Sequence, residues 1–559
     1  MTMGRAPDQG ELGPTSTTYC DGKLSPTSIY GLLYRECHNL FPDEAFADLF
    51  AGIGRDSVPP RIVAVVMVLQ RLEGLSDREA VDRFGFDMRW KYAAGGLPLD
   101  YPSFAHTVLV DMRARLRRSQ EPGRVFRIVL DVAKQTGMVG RRRVLDSTPL
   151  YDAVATQDTV TMIRASIRGL LGVADGELVK GLRGVLVRDD DYTSAGKPVC
   201  DWEDKAAREA LVDALARDAY AVLAHLDGRE LRKDVEEAAK LVATVVGQDL
   251  EQTVDGLFRI ARRVAKDRVI STVDPEARHG HKTSARGYDG YKGHVAIDPD
   301  SEIITAAEVT AANVGDGSVA KDLLQDVVPV LHDDAATEND VAVNGTVERS
   351  SVEASITPTA GAADVGAASE PVEVYGDASY GSAEVLKHLE EAGVVANVKV
   401  QAAAAPGEGM FSQDAFDIDT AEGTARCPQG VLVQLRRSKD EGWHAEFGRR
   451  CEDCPLRPKC TTSASGRTLH IHAEHARLRH ARERQRHTEW KRNYRATRPK
   501  VERKLAHLVR HRHGGRRARM RGRERVAQDF EMRCAAVNLA RLAGLGLRSV
   551  DARAAAPAA

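Results

Sequence analysis

The chain has 559 residues, 43% of them hydrophobic and 29% charged, with a formal net charge of -2. That length allows several domains around a large core, and the composition excludes a disordered chain as the default. The longest apolar run, Ile62 to Leu69, is far short of the roughly 20 residues a membrane span requires, and no basic-then-apolar leader opens the chain, so a bacterial cytoplasmic protein with no membrane partner is expected.

Residues 1–22 are polar, carry Gly and Pro and show no period, which predicts a disordered lead-in. Residues 23–138 have helical spacing throughout. Ser25-Pro26 signals a helix start ahead of IYGLLYREC. The stretch VPPRIVAVVMVLQRLEGL is opened by prolines and closed near Gly74. Ser76-x-x-Glu79 is a capping box that begins SDREAVDRFGF. The segment turns basic at Arg113, Arg115, Arg117 and Arg118, which favours a dimerisation or DNA-end-binding module over an inert bundle.

The first core strand is RRVLDSTPLYD, with Asp146 just past the apolar pair Val144 and Leu145. Residues 152–270 return to long amphipathic helices and read as an all-helical insertion. The period then changes to two. GYKGHVAIDPDSEIITAAEVTAANVGDGS predicts two strands around the turn Pro299-Asp300-Ser301, followed by the helix GSVAKDLLQDVVPVL. Residues 332–370 form an acidic, Ala- and Thr-rich stretch expected to be a disordered loop. The strand in PVEVYGDASYGS runs out at Asp377. The helix SAEVLKHLEEAG and the strand VVANVKV follow. A hairpin followed by a βαβ unit gives an α/β fold with a mixed five-stranded sheet flanked by helices.

Residues 401–475 have little pattern and hold Cys427, Cys451, Cys454 and Cys460. The Cys451-x2-Cys454 spacing and two more thiols match the donor set of a structural Zn²⁺. Such an ion would fold an insertion too poor in apolar residues to fold alone. From residue 476 to about 510 a long basic helix is expected, carrying Glu502. Residues 547–559 read as a disordered tail.

Three acids stand out for chemistry. Asp146 and Asp377 at strand ends and Glu502 on a helix are the hard oxygen donors that Mg²⁺ or Mn²⁺ prefers. Two such ions can activate the attacking oxygen and stabilise the leaving oxygen of an in-line phosphodiester displacement. Arg498, four residues before Glu502, is its natural ion-pair partner. Between Arg477 and Arg525, Lys and Arg outnumber Asp and Glu severalfold, beside Trp490 and Tyr494; this suits a phosphate backbone. The expected DNA contacts are Lys292 and His294 in GYKGH, together with Arg498, Lys500, Arg503, Lys504 and Arg510.

These motifs resemble those of bacterial insertion-sequence transposases with a DDE triad on an RNase H-like core. VLDSTPLYD is similar to the block around the first aspartate and VYGDASYGS to that around the second. RPKVERKLAHL is similar to the glutamate block, and LQRLEGLSDREAVDRFG to the helical N-terminal domain. The resemblance implies a catalytic core over 139–400 and 476–546, with Asp146, Asp377 and Glu502 as catalytic metal ligands. It implies double-stranded DNA, both element ends and target, as the partner. It also implies a homodimer or larger synaptic complex and a nucleoid-associated place in the cell. A related branch carries a Tyr-Arg-Glu-Lys signature. Here Tyr494 is one residue too far upstream and Arg510 replaces the Lys, although Tyr494, Arg498, Glu502 and Arg510 are expected on roughly one helix face. Two other readings share these residues: a catalytically silent DNA-binding protein derived from a transposase, and a metal-dependent nuclease without strand transfer.

Overall fold

The structure is a computed structural model that describes residues 1–4, 15–283, 286–328, 371–438 and 442–550. The acidic loop expected over 332–370, the tail from 551 onward and residues 5–14 of the lead-in lie outside the described residues. Within the lead-in, a short helix occupies Ser16–Cys20, capped by the Thr15 hydroxyl, and Ser16 is buried with its hydroxyl on the Leu97 carbonyl at 2.7 Å. That part of the disorder expectation is corrected: small polar residues there pay for their burial with hydrogen bonds.

The central sheet has six strands: β1 (Arg142–Tyr151), β2 (Arg278–Thr283), β3 (Arg286–Ile297), β4 (Ile304–Ala311), β5 (Glu373–Gly376) and β6 (Val395–Val398). Their order is β2-β3-β1-β5-β6, and β4 also pairs with β3. All five expected strands are present. The sixth, β2, pairs antiparallel with the first half of β3, and β4 with the second half. β5 is parallel to both β1 and β6, so the sheet is mixed, consistent with an RNase H-like fold.

The chain divides into two compact units. The first comprises Met1–Gly140, Leu145–Val319 and Arg498–Ala559, and the second Arg141–Val144 and Ala320–Thr497. In the first unit the helix Pro60–Glu73 starts with proline at its first turn and ends on Gly74 in the left-handed conformation (φ 69). The capping box of Ser76 and Glu79 forms as expected and opens the helix Asp77–Phe86. These helices bury one apolar core with the C-terminal helix Arg523–Gly544, which contributes Met532, Ala535, Ala536 and Leu539. From the same helix the Asn538 amide closes a two-way hydrogen bond on Ile304, accepting its N–H at 2.9 Å and donating to its carbonyl at 2.8 Å. Asn538 is fully buried. Asn538→Leu should therefore cost about 1–3 kcal/mol for each stranded backbone group, read as a lower urea midpoint with an unchanged slope.

The insertion is mainly helical, with its own core around Ile163, Leu170, Leu215 and Val242. It departs from expectation at one place. The helix Lys233–Asp249 stops, and Leu250–Gln252 pairs antiparallel with Phe258–Ile260. Between them Asp255-Gly256, with Gly256 at φ 79, supplies a turn that a continuous helix would not tolerate.

In the second unit, β5, the helix Ala383–Glu391 and β6 make the expected βαβ crossover. Gly381 lies so close to the chain at Lys399 that a Cβ would sit 2.1 Å from that carbonyl oxygen. Beyond β6 the cysteine-bearing segment folds into two small three-stranded sheets around Phe416, Ala425, Ala445, Phe447 and Leu469. The single basic helix expected from 476 to 510 is three helices, His475–Arg484, Thr488–Thr497 and Pro499–Leu508. Arg498 keeps helical dihedrals (φ -57, ψ -39), but Pro499 lacks the N–H that would continue the ladder, so the run breaks and a new helix starts there.

Candidate active site

Asp146 lies inside β1 rather than at its end, because the strand continues to Tyr151. Its carboxylate is 13% exposed and is held on both oxygens by Arg498, at 3.0 and 3.1 Å. Its Oδ1 also accepts the Ser147 backbone N–H at 2.8 Å. Arg498 is the N-cap residue of Pro499–Leu508 and is buried. The same guanidinium lies 3.7 Å from Glu502, whose side chain is 63% exposed. Arg498 thus serves Asp146 first and Glu502 second, and the structure brings both acids onto one buried cation.

Asp377, in the second unit, follows β5 directly. It is half-buried, and its Oδ1 accepts the Ser379 N–H at 2.9 Å. The preceding Gly376 carbonyl accepts the Tyr494 hydroxyl at 3.1 Å, and Tyr375 reaches Asn493 at the same distance. Tyr494 stacks on Trp490 with ring centroids 4.7 Å apart. Since the helix restarts at Pro499, Tyr494 and Glu502 belong to different helices, and Arg510 lies beyond the second. The shared helix face is therefore corrected.

Three expected DNA contacts are buried instead: Arg498, which is bound to Asp146 on both oxygens, and two more. His294 is 0% exposed and pairs through Nε2 with the Thr310 hydroxyl at 2.9 Å. Burial pushes its imidazole down to about 4, against the pull of Asp316. Lys504 is 1% exposed, and burial pushes its ammonium down to about 8 in spite of Glu302. Neither can reach a phosphate. Lys292 is engaged with Asp316 at 2.6 Å and with the Val314 carbonyl at 2.8 Å. Lys500 lies 3.5 Å from Asp300, Arg503 pairs with Glu302 but stays 65% exposed, and Arg510 is exposed. Asp316, Ser147 and the exposed Lys491, Arg492 and Arg495 were not singled out by sequence. Asp316 opens a single helical turn, Asp316–Val319, that no local pattern marks.

The neutral His294 gives a pH signature. Its folded value lies below the ordinary value of about 6.5, so its contribution is fully present above that pH. It is lost as pH falls toward 4, where the unfolded chain takes the proton and the folded chain resists it. Urea midpoints should fall between pH 6.5 and 4, and His294→Asn should flatten part of that decline.

All eight cysteines are free. Cys427, Cys451, Cys454 and Cys460 line one cavity of about 20 Å³ with Phe416, Phe447 and Arg467. Burial pushes the Cys460 thiol up; Arg467 opposes this, and the other three thiols add to it. The Arg467 backbone N–H points at Cys451 Sγ from 3.5 Å. Among the described residues, no group of three or more His, Cys, Asp or Glu stands at the spacing a metal ion needs, so the zinc centre suggested by the cysteine spacing is not supported as the side chains lie. Among the same residues no helix is long and apolar enough to cross a membrane.

Three segments match known families. Residues 27–115 match the family described as Transposase domain (DUF772). Residues 261–340 and 426–543 match two families that are each described as Transposase DDE domain. The chain belongs to the insertion-sequence DDE transposases. Transposition is the general function of these families, DNA is what their members act on, and they generally depend on divalent metal. No curated protein and no solved structure matches the chain.

Proposed function

We propose that this transposase cuts DNA at the ends of its own insertion sequence and joins the freed 3′ ends to new DNA, with Asp146, Asp377 and Glu502 holding two Mg²⁺ or Mn²⁺ ions. The observation that carries this reading is the arrangement around Arg498, where a strand carboxylate and a helix carboxylate meet one buried cation. Asp146 and Glu502 supply the hard oxygens Mg²⁺ prefers. Among the described residues no three such groups stand at metal spacing as the side chains lie, so metal binding would displace Arg498 from Asp146. Asp377 joins the set through the resemblance of its motif, VYGDASYGS.

Two such ions, when bound, supply activation of the attacking oxygen and charge stabilisation at the leaving oxygen. The chain's own residues orient the acids. Arg498 and the Ser147 N–H fix Asp146, and the Ser379 N–H fixes Asp377. Arg503 and Lys500, in surface ion pairs that contribute little, together with the exposed Arg510, can exchange their partners for phosphate. Two copies of the chain, one at each element end, make the synaptic complex.

The test is an element-end duplex, 5′-labelled on the strand whose 3′ end is freed, mixed with a supercoiled target and Mg²⁺. Labelled ends joined to target are the expected product. Cut ends that are never joined would reduce the protein to a nuclease. Binding without cutting in either Mg²⁺ or Mn²⁺ would leave a DNA-binding remnant.

The four cysteines line one cavity but do not stand at metal spacing as they lie; we propose that they close on a structural Zn²⁺ when the ion is present. Four thiolates leave no open position, so its role is folding. Elemental analysis of purified protein should give about one zinc per chain, and Cys451→Ser should lose it. Protein that folds fully without zinc would overturn the site.

A further inference from the structure

Asp316 opens the single turn Asp316–Val319 after β4 and is buried. Both of its oxygens are occupied. Oδ1 meets Lys292 Nζ at 2.6 Å, and Oδ2 accepts the Ser147 hydroxyl at 2.7 Å. Ser147 is the residue after Asp146, and its backbone N–H donates to Asp146 Oδ1 at 2.8 Å. Lys292 is anchored a second time on the Val314 carbonyl. A continuous chain of polar contacts therefore runs from the β3–β4 hairpin through Asp316 and Ser147 to the first acid of the proposed site.

An ion pair this far from water is a weak source of stability, because desolvating its charges offsets much of their attraction. Its geometric consequence is more specific. Asp316 fixes the Ser147 hydroxyl and so restrains the stretch of β1 whose Ser147 N–H holds the Asp146 carboxylate. Lys292 in turn fixes Asp316. We propose that Asp316 is a positioning residue that acts through Ser147 to hold Asp146 in the orientation required for a divalent cation. This rests on the reading of Asp146 as a metal ligand. Partners of this kind, one step removed from the ion, typically change metal affinity by about 10–100-fold.

The relay makes a prediction that a merely structural ion pair does not. Mn²⁺ binding to the full chain, followed by electron paramagnetic resonance without DNA, would be compared for wild type, Asp146→Ala, Ser147→Ala and Asp316→Asn, with the melting temperature measured in parallel. Asp146→Ala should lose the tightest Mn²⁺ site. Ser147→Ala should keep its fold and its backbone N–H yet bind Mn²⁺ about tenfold more weakly, and Asp316→Asn should weaken it at least as much. Wild-type affinity in both variants would overturn the relay, whatever the melting temperatures. Loss of the site in Asp316→Asn with no change in Ser147→Ala would make Asp316 a ligand and also overturn it. A wild type with no Asp146-dependent Mn²⁺ site would overturn it too. Tight Mn²⁺ binding by a protein that never cuts DNA would defeat the proposed activity and leave the relay standing.

Discussion

Asp146→Asn should reduce metal-dependent cleavage of element-end DNA by about a thousandfold or more, while DNA retention changes by about twofold or less. A bound divalent ion contributes several kcal/mol of charge stabilisation in the transition state, and each 1.4 kcal/mol is about tenfold in rate. Asn keeps the volume and one oxygen but loses the charge that a hard cation and Arg498 both need. The change is not silent for the fold, because Arg498 is buried and pairs with Asp146 on two oxygens. With Asn, its remaining acid within this group is the exposed Glu502 at 3.7 Å. A modest drop in melting temperature is therefore expected beside the loss of cleavage. Wild-type cleavage by this variant, measured under single turnover, would remove Asp146 from the site.

The largest stability effect should come from Asp529→Ala. Asp529 lies on Arg523–Gly544, 3.1 Å from Arg71 and 3.5 Å from Arg533, and all three side chains are no more than 5% exposed. Burial works against the Asp529 carboxylate, but Arg71, Arg533, Arg519 and Arg113 together hold its carboxyl below the usual carboxylate range. The same burial pushes Arg71 down to about 10. Removing the acid leaves at least two guanidinium groups without their buried counter-charge. Breaking one side of such a cluster costs about 3–5 kcal/mol, a large share of the roughly 5–15 kcal/mol that holds a domain together. Urea unfolding should show it directly, and a loss under about 1 kcal/mol would mean that water or a shifted helix already compensates these charges. Because the Asp529 carboxyl is depressed, its contribution is present above the unfolded carboxylate value of about 3.9 and disappears as pH falls below it.

What the sequence revealed follows from how local each signal is. The capping box at Ser76, the proline start at Pro60 and the stop at Gly74 depend on neighbours a few residues away, and all three are found in the helices they predict. β1 and β5 were legible as short apolar runs reaching an Asp, although β1 continues past Asp146. His294 was misjudged because β3 is buried on both faces from Val295 to Ile297, so alternation no longer marks a solvent side. Lys504 was misjudged for a different reason. It stands at helical spacing with Val501, Leu505 and Leu508, the buried stripe of its helix, and the count of positive charge outweighed that period. The break before Glu502 was written in Pro499. By contrast, Asp316, Lys292 and Ser147 meet across 169 positions between Ser147 and Asp316, and nothing local announces such a meeting.

The most direct test of the account is cleavage of an end-labelled duplex, carrying the terminus of the flanking element, by wild type and by Asp377→Ala in Mg²⁺ and in chelator. The account predicts cutting at the element end by the wild type in Mg²⁺ alone, and none by Asp377→Ala even though it still binds the duplex. Cutting that survives in Asp377→Ala, or in chelator, would contradict a metal-dependent site built on these acids.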